Sequence, residues 1–492
     1  MSGDKTSAPK KQRVKIGWAT GSVTPDKPCA VAGQFHIRVA RKVKDPVTAT
    51  ALAIESADGT QRAILMSLDA VGLAPDVRNE FDRKLAERLP DVAPEKVAIS
   101  CTHTHTAPTQ PRVFVYDEPG GDVMTMVDYG HFLAERLAAI AAEAWQKRAS
   151  GAVAWGYGHA VVGLNRRATY MDRSTAMYGA TNDPLFSHIE GHENHGVDLL
   201  FTYDPNRVLT GMIVNVACPS QCTEGESFVS ADYWHETREE LRRRFGHGVC
   251  VLGQCAAAGD QSPHLMLDRR AEERMFRLKG LLPEKGGDFN MAQRTEIARR
   301  IAAAVEDVLP IAAKDIRTEI EFAHQRSVLD VPLRRMTPND IRTCHERIGF
   351  FESQLSALDQ KKADRTGAEY SSNFGQARYY RQALERHQDI TQGRLTTLPT
   401  EIHALRIGDV AFATNRFEYL LDFGDRIKAR SPAGQTFVVQ LTGEGSYLAT
   451  ERSERAGGYG AWFASTLLGA DGGQMIVEES LRLIRSLFPV TP

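Results

Sequence analysis

The 492-residue sequence predicts an α/β protein, with mixed β-sheets flanked by helices and an inserted helical hairpin. Three observations carry that prediction. Short apolar runs alternate with segments of helical periodicity from Val14 to His324. The alternation resumes after Pro399. Between the two, Pro338 to about Gly393 is rich in Arg, Glu, Gln and Lys at helical spacing, with a break near Asp364–Gly375. A charge run of this kind reads most simply as the solvated faces of a hairpin. Residues 14–335 and 396–492 then form the main domain, 336–395 the hairpin, and 1–13 a disordered Lys-rich tail.

Taken in order, Val14–Trp18, Thr50–Glu55 and Arg62–Leu68 read as strands, and Asp76–Leu89 as a helix. Val97–Ser100 is a short buried strand. Asp128–Lys147 is a long amphipathic helix with Phe132, Leu133, Leu137, Ile140 and Ala144 near one face. Strands follow at Ala152–Gly158, Val197–Tyr203 and Leu209–Ala217, then a charged helix at Tyr233–Phe245. Gly248–Gly253 is a strand, Gln293–Leu309 a helix and Arg317–His324 a strand. Beyond the hairpin come strands Glu401–Ile407, Val410–Thr414 and Thr436–Leu441, with helices Glu418–Ala429 and Gln474–Phe488.

Composition narrows the function classes. Apolar residues at 42% and charged residues at 25% are those of an ordinary globular chain. A net charge of −2 gives no reason to expect nucleic acid or an anionic membrane as partner. Seven scattered Cys form neither a disulfide framework nor a C-x-x-C pair. No apolar run approaches a membrane span, and no apolar stretch follows the polar start. The expectation is a cytoplasmic enzyme of small-molecule substrates, compatible with a homo-oligomer.

Two stretches carry the chemistry. In Val97-Ala-Ile-Ser-Cys-Thr-His-Thr-His-Thr-Ala-Pro108 a buried strand runs directly into His103 and His105. Along an extended chain residues i and i+2 share a face, so both imidazoles point one way, as the start of a metal site would. The alternative is a Thr/His loop whose rings only hydrogen-bond to backbone. The second stretch is Ala256-Ala-Ala-Gly-Asp-Gln-Ser-Pro-His264. Ser262 before Pro263 fits a helix N-cap, and equally a nucleophile or oxyanion contact at a strand end. The G-x-S-x-G elbow of α/β-hydrolases is absent.

With these stretches go Gly17…Thr24-Pro25, Asn165-Arg166, Ser230-Ala-Asp232, Phe417-Glu418, Ser446-Tyr447 and Gly457-Gly-Tyr459. In that order, and together with T-H-T-H and G-D-x-S-P, they make the chain resemble the neutral/alkaline non-lysosomal ceramidases and their bacterial relatives. The resemblance implies a single-zinc amidohydrolase. By position it assigns His103, Glu418 and Tyr447 to the Zn²⁺ ion and Ser262 to catalysis, with Asp260 in the same motif. It places His105, Arg166 and Tyr459 around the reacting centre. Singly, Glu418 also reads as a first-turn helix carboxylate, Arg166 as an ion-pair partner, and the tyrosines as core aromatics.

The chain departs from that pattern after Val214-Asn-Val-Ala-Cys218. Where the family has its second zinc His, this chain has Pro219-Ser-Gln-Cys222. His235 is the first candidate to complete the site, then His195, Cys218 and Cys222, with His188 and His192 as loop histidines. His264 replaces the family's usual Asn after S-P. The chain stops at Pro492, without room for the immunoglobulin-like C-terminal domain of true ceramidases. The expected activity is metal-dependent hydrolysis of an amide, or an ester, on a substrate other than a classical ceramide. Metal would polarise the carbonyl and acidify a bound water, His105 would be the general acid/base, and Arg166 and Tyr459 would stabilise the oxyanion. Two alternatives stay open: chemistry on a sugar or glycosidic bond, and a metal-free binding protein on an enzyme scaffold.

Overall fold

The computed structural model describes residues 9–111 and 118–489. Its centre is a twelve-stranded sheet. In chain order the strands are β1 (Lys11–Ser22), β2 (Thr48–Ser56), β3 (Arg62–Leu68), β4 (Val97–Cys101), β5 (Ala149–His159), β6 (Gly196–Tyr203), β7 (Leu209–Val216) and β8 (Cys250–Cys255). The last four are β9 (Glu319–Pro332), β10 (Thr397–Ile407), β11 (Val410–Thr414) and β12 (Gln435–Val439). The path runs β8-β7-β6-β5-β1-β9-β10-β11-β12, and β2, β3 and β4 branch from β1.

The long strand β1 makes that branch. Its first residues, Lys11–Arg13, pair with β9, while Val14–Ser22 pair with β2. Branching folds the sheet around a shared apolar core that includes Trp18, Leu52, Leu200, Ile213, Phe412 and Phe437. Lys11–Arg13 therefore belong to a strand rather than to a disordered tail. Their side chains reach water while the backbone pairs, and Arg13 lies 3.8 Å from Glu319. Residues 1–8 lie outside the described chain.

Helices cover the outer faces. They are α1 (Pro75–Arg88), α2 (Met126–Gln146), α3 (Tyr233–Phe245), α4 (Arg269–Leu278), α5 (Phe289–Ala312), α6 (Pro338–Gln360), α7 (Ala368–Thr391), α8 (Leu421–Arg430), α9 (Glu451–Ala456) and α10 (Ala470–Leu487). On α2 the predicted stripe is real: Leu133, Leu137 and Ile140 are buried, each contributing about 1.5–3 kcal/mol. Its start is capped by the Thr125 side chain, which accepts from Asp128 N. The pair α1/α2 covers the β1–β4 branch, α3/α5 covers β5–β8, and α8/α10 covers β10–β12. The hairpin α6/α7 starts with a capping box at Thr337 and Asp340. It packs Phe351, Ala377 and Tyr380 against Phe463.

Three pairs in the sheet are parallel: β3/β4, β7/β8 and β11/β12. Parallel strands point their carboxyl ends the same way, and ligands gather at such ends. Here backbone hydrogen bonds tie the loops beyond those ends together: Cys101 N to Leu441 O, Ser220 N to Thr102 O and Gln440 N to Cys255 O. The stretches holding His103, Gly259, Ser262, Glu418 and Tyr447 lie at or near this junction, whereas Gly17 is level with Val97 at the other end of the sheet.

Candidate active site

The strand β4 stops at Cys101, so the two histidines lie on a turn instead of continuing the strand. His103 adopts a left-handed backbone, φ 64°. That conformation costs of order 1–3 kcal/mol for a non-glycine residue and is held here by its surroundings. The rings still meet, with centroids 4.9 Å apart. A turn, not strand alternation, brings them together.

His103 is buried. Its Nδ1 lies 2.6 Å from Val71 O, and a carbonyl can only accept, so Nδ1 carries the hydrogen. Burial pushes the imidazole down to about 4, against the pull of Glu418. At neutral pH Nε2 is therefore a bare lone pair, and it faces Glu418 Oε2 at 3.4 Å. Glu418 sits on a two-residue strand, Glu418–Tyr419, paired in parallel with Tyr447–Leu448. This pairing seats Glu418 opposite Tyr447 in the register. The helix α8 begins only at Leu421, so Glu418 is not a first-turn carboxylate.

Arg166 is fully buried among these groups. Its Nη1 donates to Tyr178 Oη and Gln221 Oε1, both at 3.0 Å. Its Nη2 donates to Gly259 O at 3.0 Å and Tyr447 Oη at 3.3 Å, and lies 3.9 Å from Glu418 Oε2. Burial and Glu418 raise the Tyr447 phenol far above its ordinary range. On the other side, His105 Nε2 accepts from the Gln221 amide at 2.7 Å. Its Nδ1 faces Glu224 Oε2 at 3.3 Å. The second Glu224 oxygen is 3.2 Å from His264 Nε2. Burial would raise the Glu224 carboxyl, but the two imidazoles hold it well below the usual range. Arg38 fixes this loop by donating to the carbonyls of His105, Glu224 and Glu226. Gly33 is required beside it, because a Cβ there would meet the His105 ring at 2.3 Å.

Superposition on solved structures finds neutral ceramidase from Pseudomonas aeruginosa, at a TM-score of 0.67 and 18% identity, over 98% of this chain and 76% of that one. The chain has the neutral ceramidase fold. A structure of ceramidase complexed with C2 matches over the same shares, at a TM-score of 0.65 and 16% identity. No family model and no curated protein sequence matches the chain.

Within this neutral ceramidase fold, His103, His105, Glu418, Tyr447 and Tyr459 line one cavity of about 280 Å³. Arg166 stands directly behind it. Ser262 is set further back and is completely buried. It lies on the strand Gln261–Ser262, paired with Leu164–Asn165, and α4 starts only at Arg269. Ser262 is thus no helix cap. Its Oγ contacts Tyr178 Oη at 2.9 Å and accepts from His264 N at 3.1 Å. Asp260 is a buried clamp that accepts from Asn165 Nδ2 and Leu421 N, both at 3.0 Å. Burial raises its carboxyl.

The replacement for the family's second histidine is corrected by the structure. His235 does not line the cavity. It lies on α3, whose packed face is Tyr233, Trp234, Thr237, Arg238 and Leu241, and it is half-buried beside that face. His195 pairs with Glu193 at 3.3 Å and His192 with Asp425 at 2.6 Å, both away from the cavity, and His188 is exposed beside Ser187. Cys218 is buried with its thiol toward Val162 O, and Cys222 is buried as well. The side chain that enters the polar centre from this segment is Gln221. Among the described residues no group of three or more His, Cys, Asp or Glu is placed to hold a metal ion.

Gln221, Glu224 and Tyr178 went unrecognised in the sequence. The only hint was their neighbourhood: Gln221 and Glu224 follow the position of the missing histidine, and Tyr178 follows Asn165-Arg166. The turn holding Gln221 and Glu224 is shaped by Asp232, itself at φ 54°, whose carboxylate accepts from Cys222 N and Thr223 N.

Proposed function

We propose that the chain hydrolyses a small amide, or the corresponding ester, at a metal ion held by His103, Glu418 and Tyr447. The observation that supports this most is the His103–Glu418 pair. Two groups that can only accept face each other at 3.4 Å, an arrangement that calls for a cation between them. Two ligands on a tetrahedral zinc, each about 2.0–2.1 Å from it, lie about 3.4 Å apart. Three protein ligands and an open position also describe a hydrolytic zinc site, so a missing second histidine is compatible with this reading. The third donor in this reading is a phenol, Tyr447, which stands opposite Glu418 in the strand register.

When bound, such an ion supplies Lewis acidity toward a carbonyl and toward water. The chain's own residues do the rest. His103 is held in one tautomer by Val71, leaving Nε2 for the ion. His105 is oriented at both nitrogens, by Gln221 and Glu224. For His105 to take a proton at Nε2, the Gln221 amide must swing away as substrate enters. Arg166 has its terminal donors committed, so it acts as a fixed positive charge behind the carbonyl and positions Tyr447 and Tyr178. Tyr459 reaches the cavity with a third of its surface exposed and is the free hydroxyl for the developing oxyanion. Ser262 accepts from His264 N and contacts Tyr178; no imidazole or carboxylate touches its Oγ among the described residues. It is a positioning residue in this scheme.

A metal-free binding protein is the second reading, favoured by Arg166, which compensates Glu418 without any ion. Calorimetric titration of chelator-treated protein with Zn²⁺ separates the two. About one equivalent bound in wild type, lost in His103→Ala and Glu418→Ala, supports the enzyme; no binding in wild type supports the scaffold.

A further inference from the structure

The geometry points to Gln221 as a positioning residue: it fixes the tautomer of His105 and keeps His105 Nε2 free of a hydrogen. The use made of that nitrogen rests on the hydrolase reading above; the tautomer itself does not. Three observations carry the inference.

The first is the direction of the hydrogen bonds. Arg166 Nη1 can only donate, and it lies 3.0 Å from Gln221 Oε1. The amide therefore turns its oxygen to Arg166 and its NH₂ to His105. An NH₂ can only donate, so the His105 Nε2 that it meets at 2.7 Å must accept. An imidazole with a bare Nε2 carries its hydrogen on Nδ1. One buried arginine thus decides, through an amide, where a histidine holds its proton.

The second is that Glu224 does not settle the same question. His105 Nδ1 lies 3.3 Å from Glu224 Oε2, a contact that is not a straight hydrogen bond. A carboxylate beside Nδ1 also says nothing about Nε2, because Nδ1 carries a hydrogen in both the Nδ1–H tautomer and the imidazolium. Among the described residues the Gln221 amide is what excludes a hydrogen from Nε2. His103 reaches the same tautomer by the opposite route, through an acceptor, Val71 O, at its Nδ1.

The third is that the amide is held in place. Gln221 is 1% exposed. On one side of it Ser220 N donates to Thr102 O at 3.1 Å, and on the other Cys222 N donates to Asp232 Oδ1 at 3.1 Å. Arg166 is pinned in turn, with Nη2 donating to Gly259 O at 3.0 Å.

The test replaces the amide by a carboxylate of the same shape. In Gln221→Glu both side-chain oxygens accept, so Arg166 keeps its partner while His105 must carry a hydrogen at Nε2. Histidine-selective ¹⁵N NMR of metal-free protein reads this directly, with His105 assigned from the His105→Asn spectrum. Expected are a bare Nε2 in wild type and a protonated Nε2 in Gln221→Glu. Gln221→Met is the second variant, in case the buried carboxylate prevents folding. Its Nε2 should stay bare, with the signal moved toward that of an unbonded lone pair.

Hydrolysis of 4-nitrophenyl acetate by the zinc-loaded proteins gives the second readout. A base nitrogen that already carries a hydrogen cannot accept one, so Gln221→Glu should lose at least about a hundredfold in kcat, with KM changed less than about threefold. Gln221→Met should keep more kcat than Gln221→Glu. If Gln221 only held Arg166 in place, the order would reverse, because Glu restores that contact and Met does not. A protonated Nε2 in wild type, or the reversed order, overturns the inference. The expected spectra without ester hydrolysis in wild type uphold the tautomer and count against the hydrolase reading alone.

Discussion

Two places in this molecule set a pair of buried imidazoles beside a glutamate, and they use the same groups to opposite ends. Between β9 and β10, Glu401 Oε1 contacts His403 Nε2 at 2.5 Å, and His403 Nδ1 contacts His324 Nε2 at 2.9 Å. Donors and acceptors alternate along this chain, so one hydrogen lies between each pair of atoms. At the carboxyl ends of the parallel strands, His103 already spends its hydrogen on Val71, and its lone pair faces a carboxylate. The first arrangement links its three residues with a hydrogen at each contact, and His324 Nδ1 at its far end is left without a partner. In the second, the lone pair of His103 Nε2 and the Glu418 carboxylate face each other with no hydrogen between them. Residue type and burial are alike in the two places; what differs is whether a hydrogen lies between the facing atoms.

The comparison breaks most sharply on metal. His103→Ala should abolish zinc binding and lower turnover by more than about a thousandfold, since three protein ligands are the usual minimum for such a site. His403→Ala should keep the full metal content. Elemental analysis of both variants checks this, and metal retained in the first would remove His103 from the ligand set.

His403→Ala should instead lower stability by about 1–3 kcal/mol, because the buried His324 loses its partner and the half-buried Glu401 keeps only Arg326. Urea unfolding with tryptophan fluorescence reads that loss. Equal destabilisation by His103→Ala in metal-free protein would blur the distinction between the two clusters.

Acid sharpens it further. Burial lowers His324 well below its ordinary range, lowers His403, and pushes His103 down to about 4. Below about pH 6.5 the unfolded chain therefore binds more protons than the folded one, and stability falls as pH drops. For His103 in metal-free protein most of the loss, about 3 kcal/mol, has occurred by pH 4, and it is complete only below that pH. Adding zinc at pH 7 should raise stability and so steepen the acid loss, since protonation of His103 releases the ion. The urea midpoint followed from pH 7 to pH 4.5, with and without zinc, tests the sign.

The smallest effect concerns orientation. Glu224→Gln should leave zinc in place and reduce kcat about tenfold to a hundredfold, because it loosens a group behind His105 rather than a ligand. Unchanged kcat would show that the Glu224 contacts to His105 and His264 are only structural.

Much of the fold was legible in the sequence. Arg62–Leu68, Val410–Thr414 and Tyr233–Phe245 have the bounds that periodicity predicts, and most other strands and helices differ from it by a few residues at an end. The exceptions are instructive. The strand β9 runs on to Pro332 because Phe322–Pro332 pair with β10, a long-range contact that no local window contains. Lys11–Arg13 join β1 for the same reason. Glu418 stands before its helix because three residues are spent pairing and turning beside Tyr447.

The site was legible only in part. Motif order gathers His103, His105, Arg166, Glu418, Tyr447 and Tyr459, and the structure brings all six together. It misses Gln221 and Glu224, which occupy a turn with no periodicity, shaped by a left-handed aspartate further along the chain. His235 was a readable error. Placing Trp234, Thr237, Arg238 and Leu241 on the packed face of α3 leaves His235 off it, and the phase of the helix alone gives that answer.

The parallel strand pairs whose ends build the cavity have a consequence for biosynthesis. Residues 103, 166 and 221 leave the ribosome long before 418 and 447, and the hairpin carrying Tyr379 emerges between them. A nascent chain therefore cannot assemble this cavity lining until Glu418, Tyr447 and Tyr459 have emerged to join His103 and His105. A chain interrupted before residue 418 has one wall of the cavity and lacks the other.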